Sequence, residues 1–297
     1  MKKSLTGIMF VSGGELLLNY IKKIAKRNDI WVLHDSVEWY SPSEFSNGEK
    51  NIWYIKNNRL NEKLIDKSIK VIAISSFLEN HFKSKGIDAI RIPVIMDVKN
   101  IIPCDYTHVN DVIRIIYAGS PGGKDHLKEM IFAVKRLSEE ERKKLNFTII
   151  GISRDQFEKS YPDLELAEVE GCVSFLGRKK REEVLDLIKR SDFSFLLRPA
   201  EERYAKAGFP TKVVESMSNG IPMLCNLTSD LELYLRNNEN CILIENCDED
   251  SCVKALRKVI NLDNEALYTL KKNARITAEH HFNMYNYIEA VDNFLNQ

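Results

Sequence analysis

The sequence predicts an α/β protein made of two parallel-sheet domains. Three observations carry this. Apolar runs of strand length recur along the chain, and most are continuously apolar instead of alternating, as strands covered on both faces are. Stretches with helical spacing separate them, which calls for right-handed crossovers in an open sheet. A polar, proline-containing, non-periodic segment over 94–111 interrupts the pattern and reads as a boundary. With 297 residues the chain is long enough for two domains, each with its own core.

In order, the expected strands are IWVLH (30–34), KVIAI (70–74), AIRIP (89–93), IRIIYA (113–118), FTIIGI (147–152), VSFLG (173–177), FSFLL (193–197), IPMLC (221–225) and CILIE (241–245). Helices are expected over 76–86, 125–137 and 180–190. In the second, Leu127, Met130, Ile131, Val134 and Leu137 fall on one face. Residues 249–296 read as mainly helical. The expected division is 1–105 and 106–297, with the C-terminal helices packing back toward the first domain. Two such domains leave a cleft, and ligands of open α/β sheets bind beyond the carboxyl ends of strands.

Hydrophobic residues make up 44% and charged residues 29%, so the chain is globular, and its formal net charge of zero gives no electrostatic case for a nucleic-acid partner. Lys22, Lys23, Lys26 and Arg27 cluster on one early helix. They read first as a solvated face and second as a contact with an anionic membrane surface. The six cysteines include no C-x-x-C pair and read as reduced core residues of a cytosolic protein. The opening MKKSLTGIMFVSGGELLL has too short and broken an apolar stretch for a signal peptide, and no run is long enough to span a bilayer. A cytoplasmic location, at the inner membrane surface, is the expectation.

Two stretches carry chemistry. In IRIIYAGSPGGK (113–124) a buried strand runs into Gly119-Ser120-Pro121-Gly122-Gly123 and Lys124 before a helix. Glycines let backbone N–H groups approach an anion, and lysine adds a full charge. The spacing is neither the P-loop nor the dinucleotide fingerprint, so a plain strand–helix turn reads equally well. In AGFPTKVVESMSNGIPML (207–224) Pro210 suits a helix start and Asn219-Gly220 a left-handed stop. Lys212 and Glu215 lie three apart and share a side. They read either as an exposed ion pair or as a nucleotide-sugar site, in which a carboxylate accepts from a ribose diol while lysine and helix N–H groups hold a diphosphate. The long charged loop after the strand 193–197, from Arg198 through Gly208 and Phe209, favours the second. His34 and Asp35 end the strand IWVLH and are expected to face the cleft. Gly13-Gly14-Glu15 reads as a second anion-accepting loop. No cluster has metal-ligand spacing, so no metal site is expected.

Taken in order, HDSVEWY, VIAISSFLENHF, IPVIMD, IIYAGSPGGKD, VSFLGR and GFPTKVVESMSNGIPML resemble the family 4 glycosyltransferases, over roughly residues 30–290. The resemblance implies the GT-B architecture of two facing Rossmann-like domains. It also implies transfer of a sugar from a nucleotide diphosphate sugar to an acceptor hydroxyl, with anomeric configuration retained and no essential metal or cofactor. Such enzymes build polysaccharides or glycoconjugates, so a glycan or lipid-linked acceptor is implied. Glu215 matches the second glutamate of the family's glutamate pair, the one that holds the ribose, and Lys124 matches the lysine on the diphosphate. The acceptor hydroxyl is expected on the His34 and Asp35 side.

The sequence departs from the family pattern in three places. The first glutamate of the pair falls at Ala207. The arginine after the first glycine of the donor loop is Ser120, its charge replaced on this reading by Lys212 or Arg198. Only about 30 residues precede the strand ending in His34, so the N-terminal domain reads as shortened. These departures keep a second function in view: a non-catalytic nucleotide-sugar-binding subunit, or a degenerate or truncated transferase. A nucleotide-sugar epimerase of the same architecture is the third.

Overall fold

The structure, a computed structural model, describes residues 6–106 and 111–296. Among the described residues ten strands form two sheets, and every pairing is parallel. The first holds β1 (Gly7–Phe10), β2 (Trp31–Ser36), β3 (Lys70–Ala73) and β4 (Ala89–Arg91), side by side in that order. The second is built from β5 (Ile113–Ala118), β6 (Leu145–Ile150), β7 (Val173–Phe175), β8 (Phe193–Leu196), β9 (Met223–Cys225) and β10 (Cys241–Leu243), in the order β10-β9-β8-β5-β6-β7. Each of the nine expected runs contains or overlaps one of these strands. β1 has no counterpart among them: GIMF is four residues long at a sheet edge, and its Met9 is exposed. Such a strand is too brief to show a period.

The chain forms two compact units. One comprises Met1–Ile95, Glu201–Phe209 and Tyr285–Gln297; the other comprises Met96–Ala200 and Pro210–Met284. In the first unit Phe10, Leu18, Val71, Leu78 and Phe82 are buried together. The segment 201–209 belongs there for identifiable reasons. Ala207 is fully buried, and its carbonyl accepts from Ser75 Oγ at 2.7 Å. Arg203 stacks 4.8 Å from the Trp39 ring and donates to the Tyr40 carbonyl at 3.0 Å. The last helix, Ile288–Asn296, is tied in by Lys70, whose Nζ donates to the Phe294 carbonyl at 2.7 Å.

In the second unit the chain runs from β5 outward to β6 and β7, then returns to place β8 on the other side of β5. The strand order therefore reverses between β5 and β8, and open sheets of this kind bind ligands beyond the carboxyl ends of the strands near such a reversal. The sheet is packed into an apolar core. Tyr117, Phe147, Phe193 and Phe195 are at most 1% exposed, each contributing about 1.5–3 kcal/mol by burial. The helix Leu127–Lys135 covers one face with Leu127, Met130, Ile131 and Val134, the face its spacing predicts. On the helix Asn264–His281, buried Lys271 donates to Asp192 at 2.7 Å, and Asp192 also accepts from the Arg114 N–H at 2.9 Å.

Candidate functional site

Three chain segments meet at the carboxyl ends of β5 and β8. The first is the turn after β5. Gly119 has φ +149°, and a Cβ there would sit 2.4 Å from Lys212 Cε, so the glycine leaves the room that the lysine occupies. Gly151, after β6, has φ +107°, and a Cβ would come 2.2 Å from the Gly119 carbonyl oxygen, so the two turns approach closely only as glycines. The second segment is the helix Thr211–Ser218, capped by Pro210 and followed by Gly220 at φ +76°. The third begins at Arg198, past the end of β8; its N–H and carbonyl are both engaged by the Asn226 side chain, at 3.0 and 2.6 Å.

Asp125 organises these segments. Its side chain is 1% exposed and accepts from Arg198 Nε at 2.5 Å, from Lys212 Nζ and from the Tyr117 hydroxyl at 2.6 Å. Lys212 Nζ also lies 4.0 Å from the centre of the Tyr117 ring. Burial alone would push the Asp125 carboxyl up; Lys212 and Arg198 outweigh it and hold the group below its ordinary value. Burial pushes the Lys212 ammonium down, against the pull of Asp125, and burial, aided by Asp125, pushes the Tyr117 phenol up. Two cations therefore share one carboxylate, and the surplus positive charge stays at the mouth of β5 and β8.

Beside this cluster lies an open cavity of about 330 Å³, lined by Gly119 and Ser120, by Gly151, by Arg178 and Arg181, and by Glu215. The Glu215 carboxylate is 3.2 Å from Arg181 Nη2, and the Arg181 side chain is 70% exposed. Lys212 and Glu215, though three residues apart on one helix, do not pair with each other: one is held by Asp125, the other by Arg181. A half-buried carboxylate on one wall and the Arg178 and Arg181 cations on others can take a polyhydroxyl group and an anion at once, while the Gly119 and Gly151 N–H groups are already donated to the Ile150 and Gly177 carbonyls.

Residues 99–277, more than half of the chain, match the family model described as glycosyl transferases group 1. The chain belongs to that family. This glycosyltransferase also shares its fold with solved GT-B enzymes. HepE of Anabaena, in complex with UDP and glucose, aligns with TM-score 0.72 and 14% identity over 97% of this chain and 77% of that one. Sucrose-phosphate synthase from Thermosynechococcus elongatus aligns with TM-score 0.75 and 15% identity over 100% and 74%. TarM of S. aureus aligns with TM-score 0.73 and 12% identity over 97% and 55%. At these identities the likeness is one of fold. No curated protein sequence matches the chain significantly.

Within the glycosyltransferase the expected donor residues divide. Gly119, Ser120 and Glu215 line the cavity, while Arg198 and Lys212 sit on Asp125 behind the Gly119 turn. Lys124 is half-buried next to Asp125 and does not line the cavity, and Gly122 and Gly123 are exposed. Pro210 caps the helix of Lys212 and Glu215, whereas Gly208 and Phe209 belong to the first unit, Gly208 closing the helix Arg203–Ala207 with its N–H 3.0 Å from the Tyr204 carbonyl. In β2, His34 is 3% exposed. Its Nδ1 lies 3.0 Å from the Phe10 carbonyl, which can only accept, so Nδ1 carries the proton and Nε2 the lone pair. Burial takes this imidazole down to about 4, against the Phe10 bond, while the half-buried Asp35 carboxyl is pushed up by burial. Asp125, Tyr117 and Arg181 are the residues that sequence reasoning missed. Their traces were the Y and the final D of IIYAGSPGGKD and the run RKKR over 178–181.

Proposed function

We propose that this glycosyltransferase is a retaining enzyme of family 4 that moves a sugar from a nucleotide diphosphate sugar to a glycan or lipid-linked acceptor in polysaccharide or glycoconjugate synthesis. The observation that carries the reading is the convergence of Gly119, Ser120 and Glu215 on one cavity, beside two cations held by Asp125. In this reading Glu215 accepts the ribose hydroxyls. The Gly119 turn and the surplus charge of Lys212 and Arg198, with Lys124 nearby, hold the diphosphate. The bond from the anomeric carbon to the diphosphate oxygen breaks and its electron pair leaves with the diphosphate. The acceptor oxygen bonds to that carbon on the face the leaving group occupied and gives up its proton to an oxygen of the departing diphosphate. Charge developing on the diphosphate is stabilised by groups already in place, which is where the largest share of such rate enhancements arises. UDP and UDP-glucose, bound in the HepE structures, are the first donors to try.

Residues 106–297 are the donor half in this proposal and 1–105 the acceptor half, with Asp35 and His34 on the acceptor side. The enzyme is placed in the cytoplasm at the inner membrane face, and no metal or cofactor is assigned to it. The support for membrane contact is the helix Glu15–Asn28, where Leu16, Leu17 and Tyr20 are exposed next to the exposed Lys23, Lys26 and Arg27. Among the described residues no helix is long and apolar enough to cross a membrane.

The test is a transfer assay with UDP-sugars and GDP-sugars against an acceptor panel, following nucleotide release and reading the product's anomeric configuration by proton NMR. Transfer with retention is expected. Transfer with inversion would remove the family 4 assignment. Binding without turnover would favour the non-catalytic subunit, for which buried Ala207, at the position of the family's first glutamate, is the motivating observation.

A further inference from the structure

Once ribose and diphosphate are assigned to Glu215 and the Gly119 turn, part of the cavity lining has no role. It lies toward the ends of β6 and β7: Gly151, Arg178 and Arg181, with Val184 and Leu185 as apolar walls. A partly apolar compartment next to a ribose site suits a nucleobase. Its polar edge is one-sided. Guanidinium groups offer N–H donors and no acceptor. Arg178 makes no hydrogen bond or ion pair among the described residues, and Arg181 meets only the Glu215 carboxylate, at 3.2 Å. The neighbouring Lys179 is drawn toward Glu183, on the helix Arg181–Lys189 that follows it, 3.8 Å away.

We propose that Arg178 and Arg181 determine which base the pocket accepts, and that they select a base with a carbonyl at the ring position that distinguishes each pair (C4 of uracil, C6 of guanine) over cytosine or adenine, which carry an amino group there. This rests on the nucleotide reading of the cavity above. Uracil and guanine direct a carbonyl oxygen from the ring position where cytosine and adenine carry an amino group, and arginine pairs with the carbonyl edge. An amino group facing a guanidinium leaves two donors opposed and both unpaired. A site built to bond one partner rejects the analogue that lacks it. Arg181 has a second consequence: it keeps the Glu215 carboxylate from standing alone as a negative charge where an anionic ligand must enter.

The experiment titrates UDP, CDP, GDP and ADP into the full chain by calorimetry, for the native protein, Arg178→Ala and Arg181→Ala. The pairs UDP/CDP and GDP/ADP each hold ring size constant. The native protein is expected to favour the carbonyl member of at least one pair by about tenfold. Each variant is expected to bring that preference to within about twofold, Arg178→Ala by weakening the carbonyl base alone and Arg181→Ala with an added loss common to all four because it also bares the Glu215 carboxylate, with the thermal midpoint unchanged because both side chains are exposed. Equal binding of all four by the native protein, an unchanged preference in the variants, or an equal loss for all four bases would each overturn the proposal while leaving the nucleotide site standing. Failure of every nucleotide to bind the native protein would overturn both.

Discussion

Lys212 donates to Asp125, 87 positions earlier in the chain, and not to Glu215, three positions along its own helix. The lysine and the glutamate are thereby parted. One is spent on a buried carboxylate with Arg198, and the other stays on the cavity wall. Removing Asp125 tests this arrangement. Asp125→Asn keeps the shape but leaves Lys212 and Arg198 in a buried site without a counter-charge, which costs about 3–5 kcal/mol. Urea unfolding should show a correspondingly lower midpoint. A loss under about 1 kcal/mol would mean that the cluster does not hold the three segments together.

Ala207 stands where the family pattern places a glutamate. Restoring it should not restore a donor contact. The position is fully buried in the first unit, with its carbonyl bonded to Ser75. Ala207→Glu therefore forces a carboxylate into an apolar core, and a drop in stability of at least about 3 kcal/mol is expected, with no gain in turnover. A stable, more active variant would contradict the placement of this helix.

His34 gives the fold a pH dependence. Its folded value is about 4, depressed from 6.5 by burial. The unfolded chain therefore binds a proton in that interval that the folded chain refuses. The contribution is complete above 6.5, falls as pH drops from 6.5 toward 4, and is gone below that, a change on the order of 3 kcal/mol. Thermal melts from pH 7 to pH 4 should fall more steeply in the native protein than in His34→Gln, which keeps the contributions of His81 and His281, both also pushed down by burial. Parallel curves for the two would refute the buried, neutral imidazole.

Membrane contact is checked by sedimentation with phospholipid vesicles. The native protein should pellet with vesicles containing anionic lipid and remain free of neutral ones. Reversing the charges of Lys23, Lys26 and Arg27 to Glu should weaken that association by at least about tenfold, since each basic residue near such a surface contributes about 1 kcal/mol. Equal pelleting with both lipid types would show that charge is not what brings the protein to the surface.

How much of this was legible in the sequence follows from what each signal depends on. Nine strands announced themselves because a parallel strand covered on both faces is a continuous apolar run, as in IRIIYA and FSFLL. The brief edge strand GIMF had no such run. Gly119 and Glu215 were legible because a strand-end glycine and a helical carboxylate are local patterns. Asp125 was not, because its meaning lies in contacts with Tyr117, Arg198 and Lys212 that only folding creates. Arg178 entered only as the last residue of VSFLGR, and Arg181 had no local signal of its role, because its pairing with Glu215 is created by folding. The burial of His34 depends on β1 lying beside β2, and the run that forms β1 was not read as a strand.

The most direct measurement is calorimetric titration of UDP and GDP into the native chain and into Glu215→Ala. The native protein should bind at least one of the two, and the variant should bind it at least about tenfold more weakly, having lost two charge-assisted hydrogen bonds to the ribose. Equal affinity in the two proteins, or no nucleotide bound by the native chain, would contradict the assignment of this cavity.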